Sequence, residues 1–485
     1  MAVSASYQAD PKILELGSAF YDEVKPADFP ERTLRYRNDR AAKDVGLGTL
    51  SSEEWEAHFA RFHRLPDNLE KPLALRYHGH QFGVYNAALG DGRGFLFAQV
   101  RDVHGRLLDL GTKGSGTTPW SRGGDGRLTL KGGVREILAT SMLEALGVKT
   151  SRTLSLFETG ENLHRGDEPS PTRSSVLVRL GHSHVRFGTF QRLAHLKNAS
   201  GERGDPESMT KLVDYAIRIY FPELARTSGD ERVVAFLDRV CASSAELAAE
   251  WMTAGFVHGV LNTDNMTITG DSFDYGPFRF APTFDPDFVA AYFDHSGLYA
   301  FGKQPATVSW NLGRLAEALR TMAPDAALDG PLMAFDDRYE DALTARTLMR
   351  LGVAPRDPDG DRALATATWS FLAASKISFE QLFFDLYGGA ARKGRALSGP
   401  CADFYEGPTW TSLSSRLASY EPRSPKIAAD PYFQCDSPTT LLIDEIEAIW
   451  TRIAMKDDWS PLYAKIDEIE AMGAVLAPTF TRRLV

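Results

Sequence analysis

The hydrophobic pattern of this chain changes character near residue 190, and that change constrains the fold more than any other feature. Before it, apolar residues come in short runs separated by turn residues. Phe95–Val100 and Leu107–Leu110 flank an Asp-Val-His-Gly turn and read as a β-hairpin. Thr153–Phe157 and Ser175–Leu180 read as further strands of the same sheet. One helix interrupts them, with Ile137, Leu138, Met142, Leu143 and Leu146 at helical spacing and Gly147 placed as its C-cap. Beyond residue 190 the helical period takes over, at 209–221, 233–254, 307–321, 339–351, 363–387 and 437–455. The stretches 355–362 (PRDPDGDR) and 421–431 (EPRSPKIAADP) read as surface loops, and residues 1–90 as an irregular lead-in with short helices. Strands first and helices second is the order of an α+β fold. The division expected is a sheet-rich part over 1–190 and a helical part over 191–485.

Bulk composition narrows the classes of function. The 485 residues are 43% hydrophobic and 24% charged, enough for a large core, and the net charge is −10. A polyanionic partner such as nucleic acid is not expected of so acidic a chain. The three cysteines, Cys241, Cys401 and Cys435, lie far apart without a CxxC pair, which argues against a disulfide framework or a zinc cluster. No apolar run reaches the roughly 18 residues of a membrane span. The first residues lack a basic stretch followed by an apolar one, so a cytoplasmic protein with no membrane partner is expected.

The chemistry-bearing segment is HGVLNTDN at 258–265, followed by FDYG at 273–276. Kinase-like phosphotransferases use a loop of form H-x-D-x-x-x-x-N and then D-F-G, whose Asn and second Asp hold a divalent cation on the nucleotide phosphates. His258, Asn265 and Asp274 sit at matching positions, which points to a bilobal, protein-kinase-like fold. One position departs. Where the template has its proton-accepting Asp, this chain has Val260, and a carboxylate stands instead at Asp264.

Three further features bear on phosphate. Lys113 ends the second hairpin strand, and Glu136 lies on the helix that follows; a strand Lys oriented by a helix Glu is a phosphate contact in such folds. Gly-rich stretches, 88–94 (ALGDGRG) and 114–127 (GSGTTPWSRGGDGR), bracket Lys113 and would let backbone N–H groups approach phosphate oxygens. Arg179 and Arg186 could form a phosphate clamp or simple surface ion pairs. The pairs His78/His80 and His182/His184 have metal-ligand spacing but no evident third ligand, so structural roles are expected.

Taken together, YHGHQFG at 77–83, LGDGRG at 89–94, LGTKGSGTTPWSRGGDGR at 110–127, VREILATSMLEALGV at 134–148, SHVRFGTFQ at 183–191 and HGVLNTDNMTITGDSFDYGPF at 258–278 resemble the selenoprotein O (YdiU) family of kinase-like protein adenylyltransferases. Weaker similarity covers FPERTLRYRN at 29–38 and parts of the chain beyond 300. The resemblance implies ATP bound in a flipped orientation, with AMP passed to Ser, Thr or Tyr hydroxyls of proteins. It implies nucleotide contacts at Gly90, Gly92, Arg93, Lys113, Asp125, Gly126, Arg179 and Arg186, and Glu136 as the partner of Lys113. It implies Asp264 as proton acceptor, and Mg²⁺, or Mn²⁺ in its place, on Asn265 and Asp274. The family's terminal Cys or selenocysteine has no counterpart in the closing TRRLV, and residues 400–485 are expected to diverge from the family. The competing functions are a kinase-like phosphotransferase and an inactive nucleotide-binding scaffold.

Overall fold

The computed structural model describes residues 3–480 apart from 167, 198–200 and 202. The strands are β1 (Tyr21–Glu23), β2 (Thr33–Arg37), β3 (Leu73–Leu75), β4 (Gly79–Gln81), β5 (Val84–Asn86), β6 (Leu96–Arg101), β7 (Leu107–Lys113), β8 (Leu128–Thr129), β9 (Arg152–Leu163), β10 (Thr172–Gly181), β11 (Phe256–Val257) and β12 (Arg279–Phe280). One antiparallel sheet runs β1-β3-β6-β7-β10-β9-β2, with β8 paired to β10. The β6–β7 hairpin forms where the sequence places it. Asp102 Oδ1 accepts from the N–H groups of His104 and Arg106, both at 2.9 Å, and closes the turn.

Residues 1–90 are more regular than their sequence suggests. They supply β1, β2 and β3, with β2 joining the sheet through β9, more than a hundred residues away. Their helix Ser52–Phe59, closed by a Ser51–Glu54 capping box, places Trp55 and Phe59 against the sheet. Alternation along β10 shows why. Leu177 faces the main apolar cluster with Leu156 and Ile137, whereas Val176 and Val178 face the cluster of Trp55, Phe59 and Phe97. A sheet covered on both faces has near-continuous apolar strands.

The helix Leu130–Ala145 covers the first face. Thr129 caps it by accepting from Gly132 N–H at 3.1 Å. Gly147, at φ +74°, ends it, and the Val148 N–H reaches back to the Leu143 carbonyl at 2.9 Å. Beyond residue 190 the helices Pro206–Tyr220, Gly229–Thr253, Gln304–Leu319 and Phe335–Arg350 match the helical spacing. The expected helix over 363–387 is broken: Pro358–Ser375 ends at Lys376, which takes φ +56°, and Phe379–Asp385 follows. The 355–362 loop yields its second half to that first helix, which Asp357 caps by accepting from Gly360 N–H at 2.8 Å. A short helix, Pro425–Ala428, lies within 421–431. The helix expected over 437–455 starts later, at Ile443–Lys456.

The last helix, Ser460–Phe480, returns to the outer side of Leu130–Ala145, where a Cβ on Gly473 would lie 3.1 Å from Ala145 Cβ. The main apolar cluster accordingly runs from Ile13 through Trp251 to Leu476. The helix Phe187–His195 spans residue 190. The architecture is therefore a mixed α/β fold, with one large antiparallel sheet, the two-stranded pairs β4–β5 and β11–β12, and a helical second half. No helix among the described residues is long and apolar enough to cross a membrane.

Candidate active site

Lys113 closes β7, opposite Leu177 of β10, and Arg179 sits two residues further along β10. The Lys113 ammonium bonds the Glu136 carboxylate from the covering helix and lies 2.8 Å from Asp274. Glu136 is buried, and its second oxygen has no hydrogen-bond partner among the described residues. The Gly-rich turn before β6 crosses this strand at close range. Gly114 N–H donates to the Arg93 carbonyl at 2.7 Å, and a Cβ on Gly94 would meet the Thr112 carbonyl oxygen at 2.1 Å, so no larger residue fits there.

The 258–278 loop follows the Gly229–Thr253 helix and is pinned by pairing of β11 with β12. His258 is fully buried. Its backbone N–H donates to Gln304 Oε1 at 3.0 Å, and its Nε2 bonds the Phe273 carbonyl at 3.0 Å. That second contact requires a proton on Nε2 and fastens the loop to the FDYG turn. Burial holds the His258 pKa below its usual range, so the ring is neutral. Asn265 Nδ2 donates to the Val260 carbonyl at 2.8 Å, which turns its amide oxygen the other way. Asp274 adopts φ +66°, a strained left-handed conformation for a side-chain-bearing residue.

Two carboxylates face each other's surroundings with opposite results. Burial pushes Asp264 up to about 6, against the pull of Arg186, and its Oδ1 has no hydrogen-bond partner among the described residues. Burial also disfavours charge on Asp274, yet Lys113, then Arg179, Arg93 and Arg186, hold it well below the usual carboxylate range. Arg186 is the joint between them. It donates to the Asp264 main-chain carbonyl at 3.0 Å and to Asp91 at 3.1 Å, and its guanidinium lies over the rings of Tyr77 and Phe273.

These groups line one cavity of about 760 Å³. Gly90, Gly92, Arg93, Lys113, Asp125, Gly126, Arg179, Arg186, Asp264, Asn265 and Asp274 all border it, and Glu136 stands directly behind Lys113. Asp125 is engaged by Arg165 at 2.8 Å and caps the Arg127 N–H, so it shapes the loop as well as bordering the space. The histidine pairs lie elsewhere. His78 bonds Tyr85 (2.7 Å), His80 bonds Gln191 (2.8 Å) and His184 bonds Asp109 (3.2 Å), all within the packing. Asp91, Arg122 and Arg165 border the cavity without having been singled out from the sequence. Asp91 lies inside LGDGRG, and its value shows only once Arg186 is seen beside it. No group of three or more His, Cys, Asp or Glu among the described residues forms a closed metal cage. The oxygens of Asn265 and Asp274 instead suit a hard cation that completes its shell with water and phosphate.

A cavity lined by glycine turns, with seven Lys and Arg side chains interleaved with carboxylates along its border, has the charge and the backbone access that a polyphosphate needs. Such a site suits a nucleotidyltransferase, the class to which the family and the relatives of this chain belong. The family model described as "Protein adenylyltransferase SelO" matches residues 3–470, and the chain belongs to that family. The protein nucleotidyltransferase YdiU of Gloeobacter violaceus is 45% identical over 475 residues, covering 96% of this chain and 95% of its own. That of Synechocystis sp. is 43% identical over 476 residues, covering 95% and 98%. The similarity thus extends well past residue 278. The family match runs through most of 400–485 as well, ending at residue 470.

Proposed function

We propose that this protein transfers AMP from ATP to Ser, Thr or Tyr hydroxyls of other proteins, with release of pyrophosphate, and that its sheet-rich and helical parts act as the two lobes of a kinase-like enzyme. The observation that carries this reading is the pairing of Val260 with Asp264. An apolar side chain borders the cavity where a phosphotransferase keeps its base, and a carboxylate with an unpartnered oxygen borders it four residues later. Lys113, Arg93, Arg179 and Arg186 gather around Asp274, where they would hold the β- and γ-phosphates. The α-phosphorus would then be left toward Asp264.

In the proposed step the acceptor oxygen attacks the α-phosphorus, the bond from that phosphorus to the α–β bridging oxygen breaks, and pyrophosphate leaves. The acceptor proton passes to Asp264. Asn265 and Asp274 would hold Mg²⁺ or Mn²⁺, which supplies neutralisation of the phosphate charge. Glu136 keeps the Lys113 ammonium in place, and the arginines position the leaving group, so the rate gain comes from orientation and fixed charge. Quantifying products after incubation with ATP, divalent cation and an acceptor protein tests the proposal. Pyrophosphate in step with AMP incorporation supports it. ADP as the sole product would point to a phosphotransferase, and no product to a nucleotide-binding scaffold.

A further inference from the structure

Beside the cavity mouth the molecule exposes aromatic surface that its own packing does not use. Tyr292 is 69% exposed and Phe293 41%, and their rings meet at 5.1 Å. Phe293 in turn contacts Phe82, at 6.0 Å, on the tip of the β4–β5 hairpin, where Val84 is 69% exposed. Large apolar groups gathered at one exposed place mark a binding surface more often than isolated ones do. Phe82 also holds φ +50°, a conformation that a side-chain-bearing residue keeps only when its surroundings impose it.

What imposes it is the catalytic loop. The Phe82 N–H is shared between Asn262 Oδ1 and the Tyr299 hydroxyl, both at 3.2 Å, and the Tyr299 hydroxyl donates to Asn262 at 2.6 Å. The Phe82 ring packs against that of Tyr299, 5.1 Å away and tilted by 54°. Asn262 borders the nucleotide cavity two residues before Asp264, and Gln81 borders it beside Phe82. At the base of the hairpin, Thr263 Oγ1 accepts from the His80 N–H at 2.8 Å, and a Cβ on Gly79 would lie 3.2 Å from Asp264 Oδ1. The aromatic surface and the Asp264 carboxylate are therefore held in one fixed relation.

Charge bears on the occupant. Lys303 and Lys376 border the 282–299 segment, Lys303 Nζ 3.8 Å from a Cβ placed on Gly297 and Lys376 Nζ donating to the Phe284 carbonyl at 3.0 Å, yet Asp285 and Asp287 form no ion pair with them among the described residues. Residues 282–299 carry Asp285, Asp287 and Asp294 and no Lys or Arg, and residues 77–88 carry no Asp, Glu, Lys or Arg. Asp285 and Asp287 are exposed. We infer that Phe82, Tyr292 and Phe293 form the docking surface for the acceptor polypeptide, and that it selects a segment with an aromatic or large aliphatic side chain near the accepting hydroxyl and a Lys or Arg beyond it. Continuity with the cavity places such a segment's hydroxyl at Asp264. The inference rests on the AMP-transfer reading for the fate of that hydroxyl, but binding of the segment does not depend on it.

The test separates the two. Short fluorescein-labelled peptides, each with one Tyr, are titrated with the full-length protein and followed by anisotropy. They differ in whether Phe or Gly neighbours the Tyr and whether Lys or Glu lies beyond. The Phe/Lys peptide is expected to bind at least about tenfold tighter than the Gly/Glu peptide, and Tyr292→Ser/Phe293→Ser to remove that preference. Tyr292→Lys, a single exposed change, is expected to weaken the Phe/Lys peptide while ATP affinity stays within about twofold, so a misfolded double variant would not confuse the result. Equal binding of all peptides, or unchanged binding by both variants, overturns the inference. So does concentration-dependent self-association that the double variant abolishes, because the surface would then belong to a second copy of this chain. Peptide selectivity without α-phosphate transfer would retain the surface and sink the reaction instead.

Discussion

Arg186 donates to the main-chain carbonyl of Asp264 at 3.0 Å, so the proposed phosphate-binding arginine and the proposed base move as one piece. The same guanidinium reaches Asp91 at 3.1 Å. Lysine would keep the charge but could not span both acceptors with a planar fork. Arg186→Lys is predicted to lower kcat/KM for nucleotide transfer by about 10²-fold, with a loss in kcat as well as in ATP affinity. A change in KM alone would mean that Arg186 only binds phosphate and does not align the loop.

Asp264 makes a prediction of sign. Its pKa is raised from 3.8 to about 6, chiefly by burial, so the folded protein holds this proton more tightly than the unfolded chain. The stability this contributes is fully present below 3.8 and is lost as pH rises through about 6. Asp264→Asn is therefore predicted to be more stable than wild type above pH 6, by up to about 3 kcal/mol, with the gap closing toward pH 4 in thermal melts. The variant's transfer rate is predicted to fall by about 10²–10⁴-fold. In wild type kcat/KM should rise with pH through about 6, when the base becomes ionised. A variant that melts lower than wild type at neutral pH would contradict this account of the carboxylate.

Lys113 compensates two carboxylates at once, Glu136 and Asp274. Lys113→Met is predicted to destabilise the fold by about 3–5 kcal/mol, because Glu136 is left charged in an apolar interior. Lys113→Met/Glu136→Leu should recover most of that loss in a denaturant titration, while ATP binding stays impaired in both. Recovery of ATP binding by the double variant would remove Lys113 from the nucleotide site.

Legibility differed between the site and its supports. The β6–β7 hairpin and the Leu130–Ala145 helix announce themselves locally, through two apolar runs about an Asp-led turn and a helical period that ends at Gly147. Strand β2 does not, because five residues become a strand only by pairing with β9 far along the chain. Lys376 interrupts a helical period that reads as continuous, since nothing in apolar spacing reports a left-handed residue. Within the site, loop residues such as Asn265 and Asp274 were legible because their chemistry dictates their spacing. Asp91 and Arg165 were not, because each acquires its role from an arginine or carboxylate brought to it by the fold.

The last helix supports the site from outside. Ser460–Phe480 packs on the helix that carries Glu136, and Gly473 has only 3.1 Å between an added Cβ and Ala145. Gly473→Leu is predicted to overpack this contact, lowering stability by about 1–3 kcal/mol and raising KM for ATP through displacement of Glu136. Lower thermal stability with unchanged nucleotide kinetics would show that the helix supports the fold but not the site.

The most direct test of AMP transfer uses ATP labelled on either the α- or the γ-phosphate, with Mg²⁺ or Mn²⁺ and an acceptor protein. The α label is predicted to become covalently attached to protein and the γ label to leave as pyrophosphate, with attachment slowed by about 10²–10⁴-fold in Asp264→Asn. Attachment of the γ label alone would contradict it and make the protein a phosphotransferase.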